Sequence, residues 1–271
     1  MTEFFTEWLQ YGFMKHAFVA ILIITPLFGM IGTMIVDRKM AYFSDALGHC
    51  ALTGIAIGVV LGISNTNVSM MLFAVIFALL LNKLGSKGMA ANDTVISVVS
   101  SCGIALGLAI LSKGGNFSQY SSLLVGDILS ITYTEIIYLA VIFAVTLVFW
   151  IVCYNWLYAA SIHRTLAKSR RIRVRLMENL FAVLTALIVM VSIKWIGILI
   201  INALLILPAA SSRNISENLR EYHFFSILFS MFSGIFGLLI SYFTNMATGP
   251  VIVILASIIY FCTYCYGSRI Q

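Results

Sequence analysis

YGFMKHAFVAILIITPLFGMIGTMIV, residues 11 to 36, decides the fold. Lys15 is its single formal charge, and from Ala17 to Val36 no side chain ionises. At about 1.5 Å per helical residue, a run of this length crosses the ~30 Å hydrocarbon core of a bilayer. It is too long for a signal-peptide core, and Glu3 and Glu7 stand before it where a basic region would be needed, so it reads as a first transmembrane helix. Comparable runs follow at 43–62, 68–84, 93–113, 134–157, 178–195, 196–211, 223–243 and 250–266. The pattern predicts an all-α, polytopic membrane protein with about 8–9 transmembrane helices, forming a single transmembrane domain over residues 1–271. The sixth and seventh runs almost touch at Trp195 and Gly197, as a tight hairpin or as one long broken helix.

Composition agrees. Of 271 residues, 61% are hydrophobic and 10% are charged, where soluble domains carry about 25% charged residues. The net charge of +6 does not point to nucleic acid, because the basic residues stand between apolar runs. With nine spans and the N-terminus outside, Arg38, Lys39, Lys83, Lys87, Arg213, Arg220, Arg269 and the basic residues of the 158–177 loop all lie inside. Only Lys15, Lys113 and Lys194 lie outside. Merging the sixth and seventh runs would move Arg213 and Arg220 to the wrong side, so the charge asymmetry favours nine. The C-terminus is then cytoplasmic, in a cell (inner) membrane. Cys50, Cys102, Cys153, Cys262 and Cys265 lie in or beside apolar runs and form no disulfide framework.

The longest inside loop, Tyr158 to Met177, contains SIHRTLAKSRRIRVR, more charge than a topology anchor needs. It reads as a docking element for a cytoplasmic partner or for anionic lipid head groups. The longest outside loop, Ser112 to Thr134, opens with turn-forming glycines, and its apolar stretch from Ser121 to Ile131 is too short to span, so it is expected to be re-entrant or interfacial.

Chemistry concentrates in FSDALGHCALTG, residues 43 to 54. Asp45 and His49 are four apart and share one helix face, where a carboxylate and an imidazole converge on one ion. Such a donor pair suits zinc or manganese. An intramembrane acid costs at least ~2.5–3.5 kcal/mol, which favours a metal path over an incidental ion pair. Cys50 lies about 100° further round the helix and is assigned to packing. Asp127, near an outer end, is placed either in an entry vestibule or at a helix cap. Glu135, Asn202 and Asn245 are the other polar groups in or near the membrane. In GILIINALLILPAASSR, 197 to 213, small residues allow close packing and Pro208 predicts a kink or stop. No phosphate loop, HExxH or GxSxG is present, so the chain has no enzymatic site to offer.

DRKMAYFSDALGHCALTGIAIG (37–58), NDTVISVVSSCGIALGLAI (92–110), LLVGDILSIT (123–132), IGILIINALLILPAASSR (196–213) and SYFTNMATGPVIVIL (241–255) occur in this order. Together they resemble the permease subunits of the zinc/manganese/iron ABC importer family. The resemblance implies a dimeric pore, with a second permease subunit that is a like copy or a paralogue. Cytoplasmic ATP-binding subunits drive it, and an extracytoplasmic metal-binding protein feeds it. It implies a transported divalent cation, zinc before manganese or iron, and no permanently bound cofactor. It places Asp45 and His49 on the cation pathway. The family's ATPase-coupling helix falls at His163, Arg164, Lys168, Arg170, Arg171 and Arg173. Three positions depart from the usual pattern: SRRIR lacks a glycine, Asn245 stands where an acid is common, and LLVGD replaces LFGD. The rival expectations are a proton-coupled secondary carrier using the same two residues, and a membrane scaffold with no ion path.

Overall fold

The computed structural model describes residues 10–63, 65–85, 92–113, 126, 128–162, 167 and 173–268. Among them are nine α-helices and no strand. They are α1 (Gly12–Asp37), α2 (Ala41–Val60), α3 (Thr66–Gly85), α4 (Asn92–Lys113), α5 (Tyr133–Ile162), α6 (Val174–Ile196), α7 (Ile198–Arg213), α8 (Leu219–Thr244) and α9 (Thr248–Gly267). Eight are long and apolar enough to cross a membrane. The exception is α7, whose 16 residues reach about 24 Å. It is separated from α6 by one residue, Gly197, at φ 80° and ψ 159°. These angles lie outside the helical region, so the sixth and seventh runs are two helices with a one-residue joint. All five cysteines are free thiols.

The chain divides into two compact units. The first gathers residues 1–37, 125–146 and 195–271, and the second 38–124 and 147–194, so the long helix α5 contributes to both.

In the first unit α1 packs along α7 and α8, and α9 packs on the same two helices. Glycines set the spacing. A Cβ on Gly32 would lie 2.1 Å from the Leu205 carbonyl oxygen, and one on Gly29 would lie 2.9 Å from the Ile227 Cα. Backbones this close allow hydroxyl-to-carbonyl bonds between helices: Ser226 Oγ donates to the Gly29 carbonyl at 2.7 Å, and the Tyr222 hydroxyl donates to that of Thr33 at 3.2 Å. The Arg213 guanidinium pairs with Asp37 at 3.3 Å and lies over the Tyr222 ring. Pro208 does not stop α7, which continues to Arg213. Residues 126 and 128–134 of the 112–134 loop are folded into this unit. Ile128 and Ile131 are buried, the turn Ile128–Ser130 packs on α1, and Gly126, at φ 69°, lies against the backbone of Ile196 and Gly197.

In the second unit α2 is held between α3 and α4. Gly103 and Gly107, one turn apart on α4, receive it: Thr53 Oγ1 donates to the Gly103 carbonyl at 2.6 Å, and a Cβ on Gly107 would lie 2.8 Å from both the Thr53 Cα and N. On the α3 side, Gly54 faces Phe73 and Gly58 faces Ser69. Gly107→Leu therefore pushes on backbone rather than on a side chain that can rotate away. It is expected to destabilise the unit by about 1–3 kcal/mol, read as a lower melting temperature of the detergent-solubilised protein.

Candidate metal site

Rigid packing of α2 fixes what its remaining face presents. Phe43, Ser44, Ala46, Leu47, Cys50 and Ala51 are all buried. Cys50 points into α4, with its thiol 3.6 Å from the Ser100 carbonyl oxygen, the packing role expected of it. Tyr42, Asp45 and His49 lie on the strip left open, since residues three and four apart stack on one helix face.

The His49 Nε2 stands 3.5 Å from the Asp45 Oδ1, and the two side chains are 48% and 51% exposed. Two donors bound to one tetrahedral ion at about 2.1 Å stand about 3.4 Å apart. The spacing across this helical turn is thus already that of two neighbouring ligands. Among the described residues, no three His, Cys, Asp or Glu gather where they could hold a metal together. Among the described residues the site therefore has two such donors, half the number of a closed tetrahedral site.

The other predicted residues fall as follows. Asp127, His163, Arg164, Lys168, Arg170 and Arg171 lie outside the described residues. Arg173 is exposed, and its carbonyl accepts from the Leu176 and Met177 amides, so it stands at the N-terminal boundary of α6. Ala160, Ala167 and Val174 form one buried cluster, which draws a residue of the 158–177 loop against the helices on either side of it. Glu135 accepts from the Thr132 amide and hydroxyl, both at 2.9 Å, and caps the start of α5. Asn245 is the C-cap of α8 in the left-handed conformation, at φ 53°, and its amide donates to the Ser241 carbonyl. Asparagine tolerates that conformation better than most residues, which accounts for it structurally.

Sequence reading missed two features. Gly103 and Gly107 form a small-xxx-small pair, a readable signal for close helix approach. From sequence, Arg38 reads only as a topological charge. In the structure its Nη2 donates to the Leu157 carbonyl oxygen at 3.0 Å, and its guanidinium lies 5.2 Å from the Phe181 ring centroid. No sequence pattern announces those partners.

Eight described helices long and apolar enough to cross a membrane define a class: an α-helical membrane protein. Comparison with known proteins narrows it. Residues 10–267 match the model of the ABC 3 transport family. The chain is 33% identical to the high-affinity zinc uptake system membrane protein ZnuB of Haemophilus influenzae, over 88% of this chain and 90% of that protein. It is 27% identical to the manganese transport system membrane protein MntC of Listeria innocua, over 96% of this chain and 93% of the relative. A solved structure, PsaBC from Streptococcus pneumoniae in complex with Fab, superposes with a TM-score of 0.84 at 26% identity, covering 97% of this chain and 95% of that one. The chain belongs to the ABC 3 transport family and is a permease subunit of a divalent-metal ABC importer.

Proposed function

We propose that this permease imports zinc, as one of two like copies in a cell (inner) membrane, driven by cytoplasmic ATP-binding subunits and loaded by an extracytoplasmic metal-binding protein. The observation that carries the reading is the Asp45–His49 pair, two hard-to-borderline donors 3.5 Å apart on an open helix strip. Two copies facing a common pathway supply two such pairs, the four donors a tetrahedral ion takes. Identity to the Haemophilus zinc protein supports zinc, and the equally full-length match to manganese proteins supports manganese as the second reading.

In this reading the N-terminus lies outside and the C-terminus inside, as the positive charges require. The loop from His163 to Arg173 is where the ATP-binding subunit docks. ATP binding there closes the inner docking surfaces, the paired permeases rearrange, and an ion held by Asp45 and His49 passes inward. The test is radioactive zinc and manganese uptake into proteoliposomes, with and without the ATP-binding and metal-binding partners, ATP being supplied on the ATPase side. Uptake that requires ATP and both partners supports the reading, and the ion taken up identifies the cargo. Uptake by the chain alone along a pH gradient replaces it with a proton-coupled carrier.

Metal competes with protons for both donors, so loading weakens as the medium is acidified. Zinc bound by the purified permease is expected to fall by up to about tenfold per pH unit once a proton must be displaced from the site. Binding that stays level from neutral to acidic pH would place the ion elsewhere.

A further inference from the structure

Arg38 lies one residue beyond α1 and three before α2, and it opens the second unit. Its side chain reaches the two helices that carry the 158–177 loop. One contact is the hydrogen bond to the Leu157 carbonyl, five residues before the end of α5. Another is the stack over Phe181, a fully buried ring in the early turns of α6. The buried cluster of Ala160, Ala167 and Val174 joins Ala167 to those same helix ends. On its other side Arg38 is tied to α2 by only two residues. Lys39 takes the left-handed conformation at φ 56°, and the Met40 carbonyl accepts from the Phe43 amide at 3.0 Å. Beyond them α2 is continuous helix through Asp45 and His49, packed against α3 and α4.

We propose that Arg38 is a positioning residue that couples the cytoplasmic loop to the metal-carrying helix. Displacement of the α5 and α6 ends by a docked ATP-binding subunit is delivered to α2 through this guanidinium, and so changes how Asp45 and His49 are presented. The contiguous contacts from α5 and α6 through Arg38 to α2 are the observation that motivates it. Arginine suits the role because its planar fork donates to a carbonyl while its face lies on a ring, and lysine's compact ammonium has no such face. This proposal rests on the functional reading above, in which the loop receives the ATPase.

The experiment uses the complete importer in proteoliposomes, measuring zinc taken up and ATP hydrolysed in the same samples, with zinc binding to the purified permease measured separately. Arg38→Gln is expected to lower the zinc moved per ATP by roughly tenfold or more, in the range of allosteric coupling, with zinc binding unchanged. Arg38→Lys and Phe181→Leu, which disturb the packing less, are expected to shift the ratio in the same direction by smaller amounts. Arg220→Gln, a basic residue exposed at the start of α8, leaves it unchanged. A ratio equal to wild type in all three substitutions at Arg38 and Phe181, with only less protein recovered, makes Arg38 a structural anchor and overturns the proposal. Loss of zinc binding in step with uptake overturns it as well, by assigning Arg38 to the site itself. Wild-type uptake that needs no ATP would overturn the functional reading first. ATP-dependent wild-type uptake with an unaltered ratio in the variants overturns this proposal alone.

Discussion

Replacing Asp45 by asparagine is expected to abolish metal uptake while the chain still inserts and assembles. The side chain is half exposed and stands outside the buried face of α2. Asparagine keeps its volume and removes its charge, so packing is left alone. If the pair with His49 served only the helix, its loss would cost a few tenths of a kcal/mol and uptake would hardly change. If the carboxylate is a ligand, the loss is of another size. Disturbing even the groups that orient a metal ligand costs about 10–100-fold, so losing a ligand outright should lower uptake by about 100-fold or more. His49→Ala is expected to follow. The readings are zinc uptake in proteoliposomes and the amount of assembled complex recovered from the membrane. Full uptake in Asp45→Asn, or failure of the complex to assemble, would remove Asp45 from the pathway.

Gly126→Ala is expected to destabilise the first unit by about 2–5 kcal/mol. An added Cβ would sit 2.2 Å from the Gly197 nitrogen and 2.3 Å from the Ile196 carbonyl carbon, both backbone atoms with no rotamer to escape into. Gly126 also holds φ 69°, which costs an L-residue about 1–2 kcal/mol. Overpacking adds about 1–3 kcal/mol. The sum is a large part of the roughly 5–15 kcal/mol that keeps a protein folded. Gly62 supplies the control. It has nearly the same backbone angle, φ 70°, and nothing within 4 Å of an added Cβ, so Gly62→Ala should lose only the ~1–2 kcal/mol backbone contribution. Thermal melting of the two solubilised variants separates the contributions. Equal melting temperatures would mean that the Gly126–Gly197 contact yields without cost.

The spans were legible because lipid demands long apolar runs, and nearly every predicted boundary falls within a few residues of a helix end. The larger misses have local causes. Helix α5 runs to Ile162 rather than 157, since Tyr158 to Ser161 are less apolar yet remain compatible with a helix. Helix α8 starts at Leu219 rather than 223 because Asn218 accepts from the Glu221 amide and donates to its carboxylate. That is a capping arrangement readable as N-x-x-E. The Asp45–His49 pair was legible from four-residue spacing alone. What no spacing reveals is which distant backbone a residue meets. The contacts of Gly126 with Gly197 and of Arg38 with Leu157 and Phe181 exist only once the chain has closed on itself.

The first unit joins the beginning of the chain to its end, and that has a consequence for synthesis. Helix α1 enters the membrane early, but α7 and α8 are made only after roughly 160 further residues, a delay of about 8–30 s at ordinary elongation rates. Throughout that interval the Gly29–Gly32 face of α1 meets lipid or a foreign helix instead of Leu205 and Ile227. A ribosome that stops before Ile198 releases an α1 that has the short Ile128–Ser130 turn beside it but neither α7 nor α8. The nascent permease therefore carries an open, glycine-lined face on α1 until α7 and α8 are translated.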